Sequence, residues 1–426
     1  MKILIKEGLL VDPVNHIEEI SDILINGDKI SNVAKSIAVD ADTIINAKDK
    51  IVMPGIVDMH VHLREPGRED KETVESGTKA ASKGGVTTVL AMPNTLPAID
   101  HVGNLRLLKD IIKKKATVDV FIAGAITVGR LGKKLCNIAA LKKNGVIAIS
   151  DDGSSVDSED IMLEAFRVAK KEKMLVMCHC EDKSLSNKGV VNLGLASTRL
   201  GLRGISAESE YKRVERDIEL AEKTAAAVHI THVSCKESVQ IIAKAKKKGI
   251  KITADTAPHY FALTEDELVN YNTNLKVSPP LRTKEDLEGI KDGLRKGVID
   301  AIASDHAPHT ENEKCIEFEY AESGSIGLET ELAVSITELV NTGLLGWGDL
   351  VKKISSNPAR ILGIQKGTLG PGREADVVIV SPKKQWVVRK KDFLSKSSNS
   401  AFLGRKLTGA VEYAISKGKI VYQYKP

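Results

Sequence analysis

Residues 54–62 read Pro54-Gly55-Ile56-Val57-Asp58-Met59-His60-Val61-His62. The run 56–60 has the apolar, β-branched character of a buried strand. Residues two apart on a strand share a face, so His60 and His62 project side by side at its end. Two imidazoles on one face suit a borderline metal ion, although His-x-His alone is a weak signal. Seven more apolar runs follow, at 87–91, 118–122, 146–149, 174–178, 227–231, 250–254 and 299–303. Amphipathic, Lys-rich segments lie between them. The stretch 158–172 is one, with Ser158 as N-cap and Ile161, Ala165 and Val168 on one face. The stretches 208–225, 236–248 and 283–296 are others. This alternation predicts an α/β chain with parallel crossovers, either a closed eight-stranded TIM-type barrel or an open doubly wound sheet. No Gly-x-Gly-x-x-Gly follows the first strand, so a dinucleotide-binding sheet has no support.

Outward from this core, both ends of the chain look all-β. Short β-branched runs occur at 3–5, 22–25 and 43–45, with a hairpin signal at Asn26-Gly27-Asp28. The C-terminal part repeats the style at 375–380, 411–415 and 420–422, with Ser416-Lys417-Gly418-Lys419 as a turn. Neither end is long enough for a good core alone. The two are expected to pair into one small β-sandwich domain, 1–52 with 366–426, around a barrel at 53–365.

Composition narrows the function. The chain has 426 residues, 42% hydrophobic and 28% charged, which excludes a disordered or collagen-like protein. A net charge of +5 spread along the chain and 4% aromatic residues argue against a nucleic-acid partner. Five cysteines, an odd number, read as reduced thiols rather than a disulfide framework. No signal peptide is visible, and no apolar run reaches the ~18–20 residues needed to cross a bilayer. A cytoplasmic protein with no membrane partner is expected.

Chemistry-bearing residues gather at the ends of the predicted strands. Asp151-Asp152-Gly153 follows the fourth, His179 the fifth, His232 the sixth and Asp305-His306 the eighth. Barrel enzymes carry their active groups on the loops after the strands. Of ten histidines, His60, His62, His179 and His232 occupy such positions, and His259, His306 and His309 lie just past strands seven and eight. Four His and two Asp suit one or two Zn²⁺-like ions, and two ions sharing a carboxylate fit that count better. Such ions lower the pKa of bound water enough to supply a nucleophile for an amide or ester carbonyl.

At this point the sequence resembles the amidohydrolase superfamily, through the 54–62 segment. It resembles dihydroorotase more specifically through His62-Leu63-Arg64-Glu65-Pro66-Gly67, Ala91-Met92-Pro93-Asn94-Thr95 and Ser304-Asp305-His306-Ala307-Pro308-His309. Gly327-Leu328-Glu329-Thr330, Ser356-Asn357-Pro358-Ala359 and Gly370-Pro371-Gly372 followed by Ala375-Asp376 fit it too. The resemblance spans essentially the whole chain and implies a distorted (β/α)8 barrel with a β-domain from both termini. It implies two zinc ions: one on His60, His62 and Asp305, one on His179 and His232, with Asp152 as the bridge. Asp305 also matches the general base. Arg64, Asn94 and His309 match residues that hold the substrate's carboxylate and ring, with His62 beside them. Many relatives bridge their metals with a carboxylated lysine. Here Val146-Ile147-Ala148-Ile149-Ser150-Asp151-Asp152 has none, unlike hydantoinase and allantoinase, and is similar to the bacterial dihydroorotase type with an aspartate.

Two departures touch substrate recognition. Ser278 in Lys276-Val277-Ser278-Pro279-Pro280 stands where the family has a contacting Asn, with shorter reach and no NH₂ donors. Ser323-Gly324 stands where an aromatic-Gly pair is usual. The polar segment 310–326 is long enough to close over the site. Cys178 and Cys180 flank His179 and should point away from it. His101 and His229 read as ordinary histidines, and His259 as a candidate lining residue. The resemblance implies interconversion of N-carbamoyl-L-aspartate and dihydroorotate in pyrimidine (UMP) synthesis, a homo-oligomer, and aspartate transcarbamoylase as a possible partner. The alternatives are an allantoinase- or hydantoinase-like cyclic amidohydrolase, or a non-catalytic partner of aspartate transcarbamoylase. Chains of that last kind typically lack the metal ligands, whereas all six candidates are present here.

Overall fold

In the computed structural model, which describes residues 1–425, eight parallel strands stand side by side in chain order. They are Ile56–Val61, Val86–Ala91, Asp119–Gly124, Ala148–Ile149, Leu175–Cys178, Val228–Ile230, Ile252–Thr256 and Ala301–Ile302. Each falls on one of the apolar runs read from sequence. The His62 amide donates to the His306 carbonyl at 3.0 Å, and Val61 bridges His306 in parallel, so the eighth strand's end returns to the first. The result is a nearly closed TIM-type barrel, not an open sheet.

Helices cover the barrel where the amphipathic segments predicted them. Glu159–Glu172 starts at Ser158, whose hydroxyl accepts from the Ile161 amide. Its buried stripe is Met162, Ala165, Phe166 and Ala169; of the expected face Ala165 is buried, while Ile161 and Val168 are half-buried. Lys284–Arg295 begins with a capping box between Thr283 and Asp286.

The two chain ends build one further sheet of eight strands. Ile51–Pro54 runs antiparallel to Val377–Val387, which joins the N-terminal half to the C-terminal half. Lys2–Asp12 pairs with Ile17–Asn26 along one edge and splits the other between Thr43–Asn46 and Ile51–Pro54, with a bulge between Ile5 and Gly8. Ile3, Ile5, Ile23 and Ile25 share a core with Val377, Ile379 and Ile415, so both ends fill one core, on a single continuous sheet rather than the two packed sheets of the expected sandwich. Gly55 links the two sheets. A Cβ there would lie 2.0 Å from Thr87 Oγ1, so only glycine lets the chain pass. Lys366 Nζ pairs with Asp119, Glu374 and Asp376 at 2.5–2.6 Å and ties the C-terminal half to the barrel. That acidic trio is satisfied by the ammonium.

Candidate metal centre

Because the strands are parallel, their C-terminal ends open on one mouth, and the side chains just past them converge there. His60, His62, Asp152, His179, His232 and Asp305 are all buried at this point. His60 Nε2 lies 3.2 Å from Asp152 Oδ1 and 3.5 Å from Asp305 Oδ1. His62 Nε2 lies 3.5 Å from Asp152 Oδ2 and 3.3 Å from Asp305 Oδ1. His232 Nε2 is 3.5 Å from Asp152 Oδ1 and 2.8 Å from His179 Nδ1, which is 3.7 Å from Asp152. Asp152 therefore sits among all four histidines. Asp151 turns away, its Oδ1 accepting from the Ile126 and Thr127 amides at 2.8 and 3.0 Å.

At this mouth two sets offer ligand atoms within 4.8 Å of one another: His60 with His62 and Asp305, and His60 with Asp152 and His232. The first is the trio expected from sequence. In the second, His60 takes the place expected for His179, which stands one step out behind His232.

The donor set fits a metal ion. Both ring nitrogens of His60, Oδ1 of Asp152 and Nδ1 of His232 are buried without a hydrogen-bond partner among the described residues; the 3.2 Å approach of His60 to Asp152 is out of alignment. Buried polar atoms are seldom left unpaired, and imidazole with carboxylate is the ligand chemistry of zinc-like ions. The electrostatics agree. Burial alone would lower His60, yet Asp152 and Asp305 push it up to about 10. Burial would raise Asp152 and Asp305, yet the neighbouring histidines hold both carboxyls below the usual range. The pocket demands positive charge. His62 is lowered by burial and by Arg64, and its Nδ1–H donates to Asn94 Oδ1 at 2.9 Å. That leaves its Nε2 lone pair facing Asp305.

A second layer, missed from sequence, braces these groups. Asp255 Oδ1 accepts from the His232 amide at 2.6 Å, and Oδ2 meets His229 Nε2 at 2.8 Å. His229 Nδ1 is held by Thr253 Oγ1 at 2.8 Å. Asp58 accepts from the His60 amide at 3.0 Å and from the Ser304 amide; burial lifts its carboxyl to about 6. The available signals were position and parity: Asp255 is the penultimate residue of the seventh strand, and Asp58 lies two residues before His60. Arg64, His232 and Asp305 have positive φ of 60°, 38° and 48°. Non-glycine residues in that region cost energy and cluster where structure serves function.

Arg64 is half-buried, donates Nε–H to the Pro308 carbonyl at 3.2 Å, and forms no ion pair among the described residues. Burial lowers it to about 10, so it stays cationic at neutral pH. His309 accepts from Lys71 Nζ on Nδ1 at 3.0 Å and donates Nε2–H to the Ser323 carbonyl at 2.9 Å. Burial, with Arg64 and Lys71 nearby, keeps it neutral. Both its nitrogens are thus engaged. Ser323 is exposed and contributes its carbonyl. A Cβ on Gly324 would strike Ala307 and His309 at 2.8–2.9 Å. Ser278 is half-buried and lines a narrow cleft with His179 and Arg282. The segment 310–326 is anchored: the Lys314 ammonium, buried, donates to the carbonyls of Glu322 and Gly324 at 2.7 and 3.1 Å.

The remaining candidates fall outside the ligand set. Cys178 and Cys180 are buried thiols pushed up by burial, and Cys180 Sγ faces Asp217 at 3.7 Å. His101 caps the helix Val102–Lys115. His259 is buried, neutral by burial at about 4, with Nε2 unpartnered. No helix among the described residues is long and apolar enough to cross a membrane.

Residues 49–238 match the family profile described as Dihydro-orotase-like. Over 420 residues the chain is 50% identical to the dihydroorotase of Elusimicrobium minutum, covering 99% of this chain and 97% of that protein. It is 46% identical to the dihydroorotase of Syntrophus aciditrophicus over 429 residues, 99% of this chain and 100% of the relative. Among solved structures, the L-hydantoinase (dihydropyrimidinase) from Arthrobacter aurescens superposes with a TM-score of 0.90 at 25% identity, covering 100% of this chain and 96% of that one. A dihydropyrimidinase from Brevibacillus agri shares the fold at a TM-score of 0.85 and 23% identity, over 99% and 95% of the two chains.

Proposed function

The chain belongs to the dihydroorotase family, and we propose from that premise that it interconverts N-carbamoyl-L-aspartate and dihydroorotate for pyrimidine synthesis. The observation that carries the reading is a buried four-His, two-Asp cluster beside an arginine that has no carboxylate partner among the described residues. His60, His62 and Asp305 would hold one zinc ion, and His179 and His232 a second, with Asp152 between them. Bound there, zinc polarises a carbonyl oxygen and lowers the pKa of water.

The protein's own groups do the rest. Asp305, held as a carboxylate, takes the proton of the attacking water and delivers it to the leaving ring nitrogen. Arg64 is a permanent cation whose fork matches a carboxylate, and it grips the one that dihydroorotate carries. Asn94 fixes the His62 tautomer through Oδ1 and keeps its NH₂ for substrate. His309 is fully hydrogen-bonded and forms the wall beside Arg64, 3.4 Å from Nη2. Ser278 and the Ser323-Gly324 backbone complete the substrate wall.

The hydantoinase-like alternative fits less well, because the segment after the fourth strand carries Asp152 and no lysine. The complete ligand set argues against a non-catalytic scaffold. A cytoplasmic homo-oligomer able to associate with aspartate transcarbamoylase completes the proposal, on family resemblance. The test is turnover by the purified protein on dihydroorotate, hydantoin and allantoin. Dihydroorotate should be strongly preferred; preference for either other ring would overturn the reading.

A further inference from the structure

Away from the barrel mouth, a cleft of about 470 Å³ opens at the seam between the terminal sheet and the barrel helices. That volume lies within the ~300–1,000 Å³ of small-molecule sites. Trp386, Tyr422 and Tyr424, all half-buried, line it. The Trp386 Nε1–H is satisfied by the Gly409 carbonyl at 2.9 Å, which leaves the cleft the apolar part of the ring. Lys384 Nζ lies 3.2 Å from the centre of the Tyr424 ring, and Arg389 is exposed beside it. Neither cation forms an ion pair among the described residues. Of the two acidic lining residues, Glu329 is already paired with Lys83 at 2.7 Å, and Asp392 is exposed. Aromatic surface beside unpaired cations is the surrounding that a flat ring bearing an anion requires.

We propose that this cleft is a second ligand site, for a nucleoside monophosphate or a like-sized aromatic ring carrying a phosphate, and that its occupancy reaches the metal centre through Glu329. The phosphate would meet Lys384 and Arg389 and compete with Glu329 for Lys83. Glu329 also accepts from the Leu394 and Ser395 amides at 2.9 and 3.1 Å. The Ser395 hydroxyl and the Lys396 amide bind the buried Glu72 carboxylate, whose Oε2 meets His306 Nε2 at 3.2 Å. His306 adjoins Asp305, and its carbonyl accepts from the His62 amide at 3.0 Å. The segment 394–396 is therefore the element both sites hold, which is the physical requirement for coupling.

Trp347→Phe leaves Trp386 as the sole tryptophan of the full-length protein. Uridine 5′-monophosphate is the probe, with uridine and inorganic phosphate as its two halves. Trp386 emission should change saturably with the monophosphate, and each half should bind at least about tenfold more weakly. Arg389→Ala should weaken binding about tenfold, the loss of one charge-assisted contact. Saturating monophosphate should shift the KM for dihydroorotate and the rate of zinc loss to a chelator by at least about twofold, and Glu329→Gln should abolish both shifts. The site is overturned by no emission change up to about 10 mM, by phosphate binding as tightly as the monophosphate, or by unchanged affinity in Arg389→Ala. Binding with neither KM nor zinc loss altered overturns the coupling. The emission readout needs no turnover, so a failed site and a failed dihydroorotase reading give different results.

Discussion

Replacing Arg64 tests the proposed grip on the substrate carboxylate separately from the proposed metal chemistry. Its Nε–H is spent on the Pro308 carbonyl, so the two Nη groups are what it offers a ligand. Two charge-assisted hydrogen bonds at ~1.5–3 kcal/mol each set a range of ~3–6 kcal/mol. The side chain is only half-buried, and water replaces part of the contact in the free enzyme, so the lower end applies. About 3 kcal/mol is roughly 100-fold in kcat/KM. The carboxylate is remote from the reacting amide and is held in ground and transition states alike, so the loss should appear in KM with kcat nearly unchanged. Arg64→Met should therefore raise the KM for dihydroorotate about 100-fold. Arg64→Lys keeps the charge without the fork and should recover about tenfold of that loss. Steady-state kinetics with metal content measured on the same samples is the assay. Unchanged KM in Arg64→Met at full metal content would refute the contact. Loss of metal would show instead that Arg64 supports the ligand cluster.

Ser278→Asn should be accommodated and lower the KM for dihydroorotate a few-fold, worth about 1 kcal/mol for one net hydrogen bond; lost turnover on dihydroorotate would mean the pocket is shaped for another ring. Glu331 is fully buried, neither carboxyl oxygen has a partner among the described residues, and burial together with Asp58 and Asp255 holds its carboxyl well above the usual range. A folded pKa above the unfolded value means that stability is intact below that unfolded value and is lost as pH rises toward the folded one. Glu331→Met should thus stabilise the protein at pH 7 by about 1–3 kcal/mol, with a smaller gain near pH 4. Thermal melts at the two pH values check this, and a lower Tm at pH 7 would contradict it.

The barrel was legible because each of its strands is an apolar run bounded by polar helix starts, and because His60, His62, His179 and His232 mark strand ends. The same positional rule also selects Asp255, near the end of the strand Ile252–Thr256. It went unread because an isolated acid carries no pattern until His229 and His232 are brought to it in space. His229 itself sits within a strand, where periodicity reports burial and not partnership. Asp58 shares the face of His60 and looked like part of an apolar run. On Glu159–Glu172 Ala165 is buried as expected, but Met162, Phe166 and Ala169 are buried in preference to Ile161 and Val168, because packing against the barrel, and not a local signal, sets which side of the helix is covered. The choice of Asp152 over Asp151 rested on family resemblance alone. Geometry gives its physical basis: the Asp151 carboxylate accepts from the Ile126 and Thr127 amides, while Asp152 faces the histidines. The engagement of both His309 nitrogens depends on Lys71 and the Ser323 carbonyl, each remote in sequence.

The most direct test of the metal-centre reading is zinc content measured alongside dihydroorotate turnover, in the native protein, after chelation and in Asp152→Ala. The native protein should hold two zinc ions per chain and turn over dihydroorotate. Chelation should abolish the activity and added Zn²⁺ restore it, while Asp152→Ala should lose metal and stay inactive on zinc addition. Full turnover by a demonstrably metal-free sample, or native zinc content and activity in Asp152→Ala, would contradict the account.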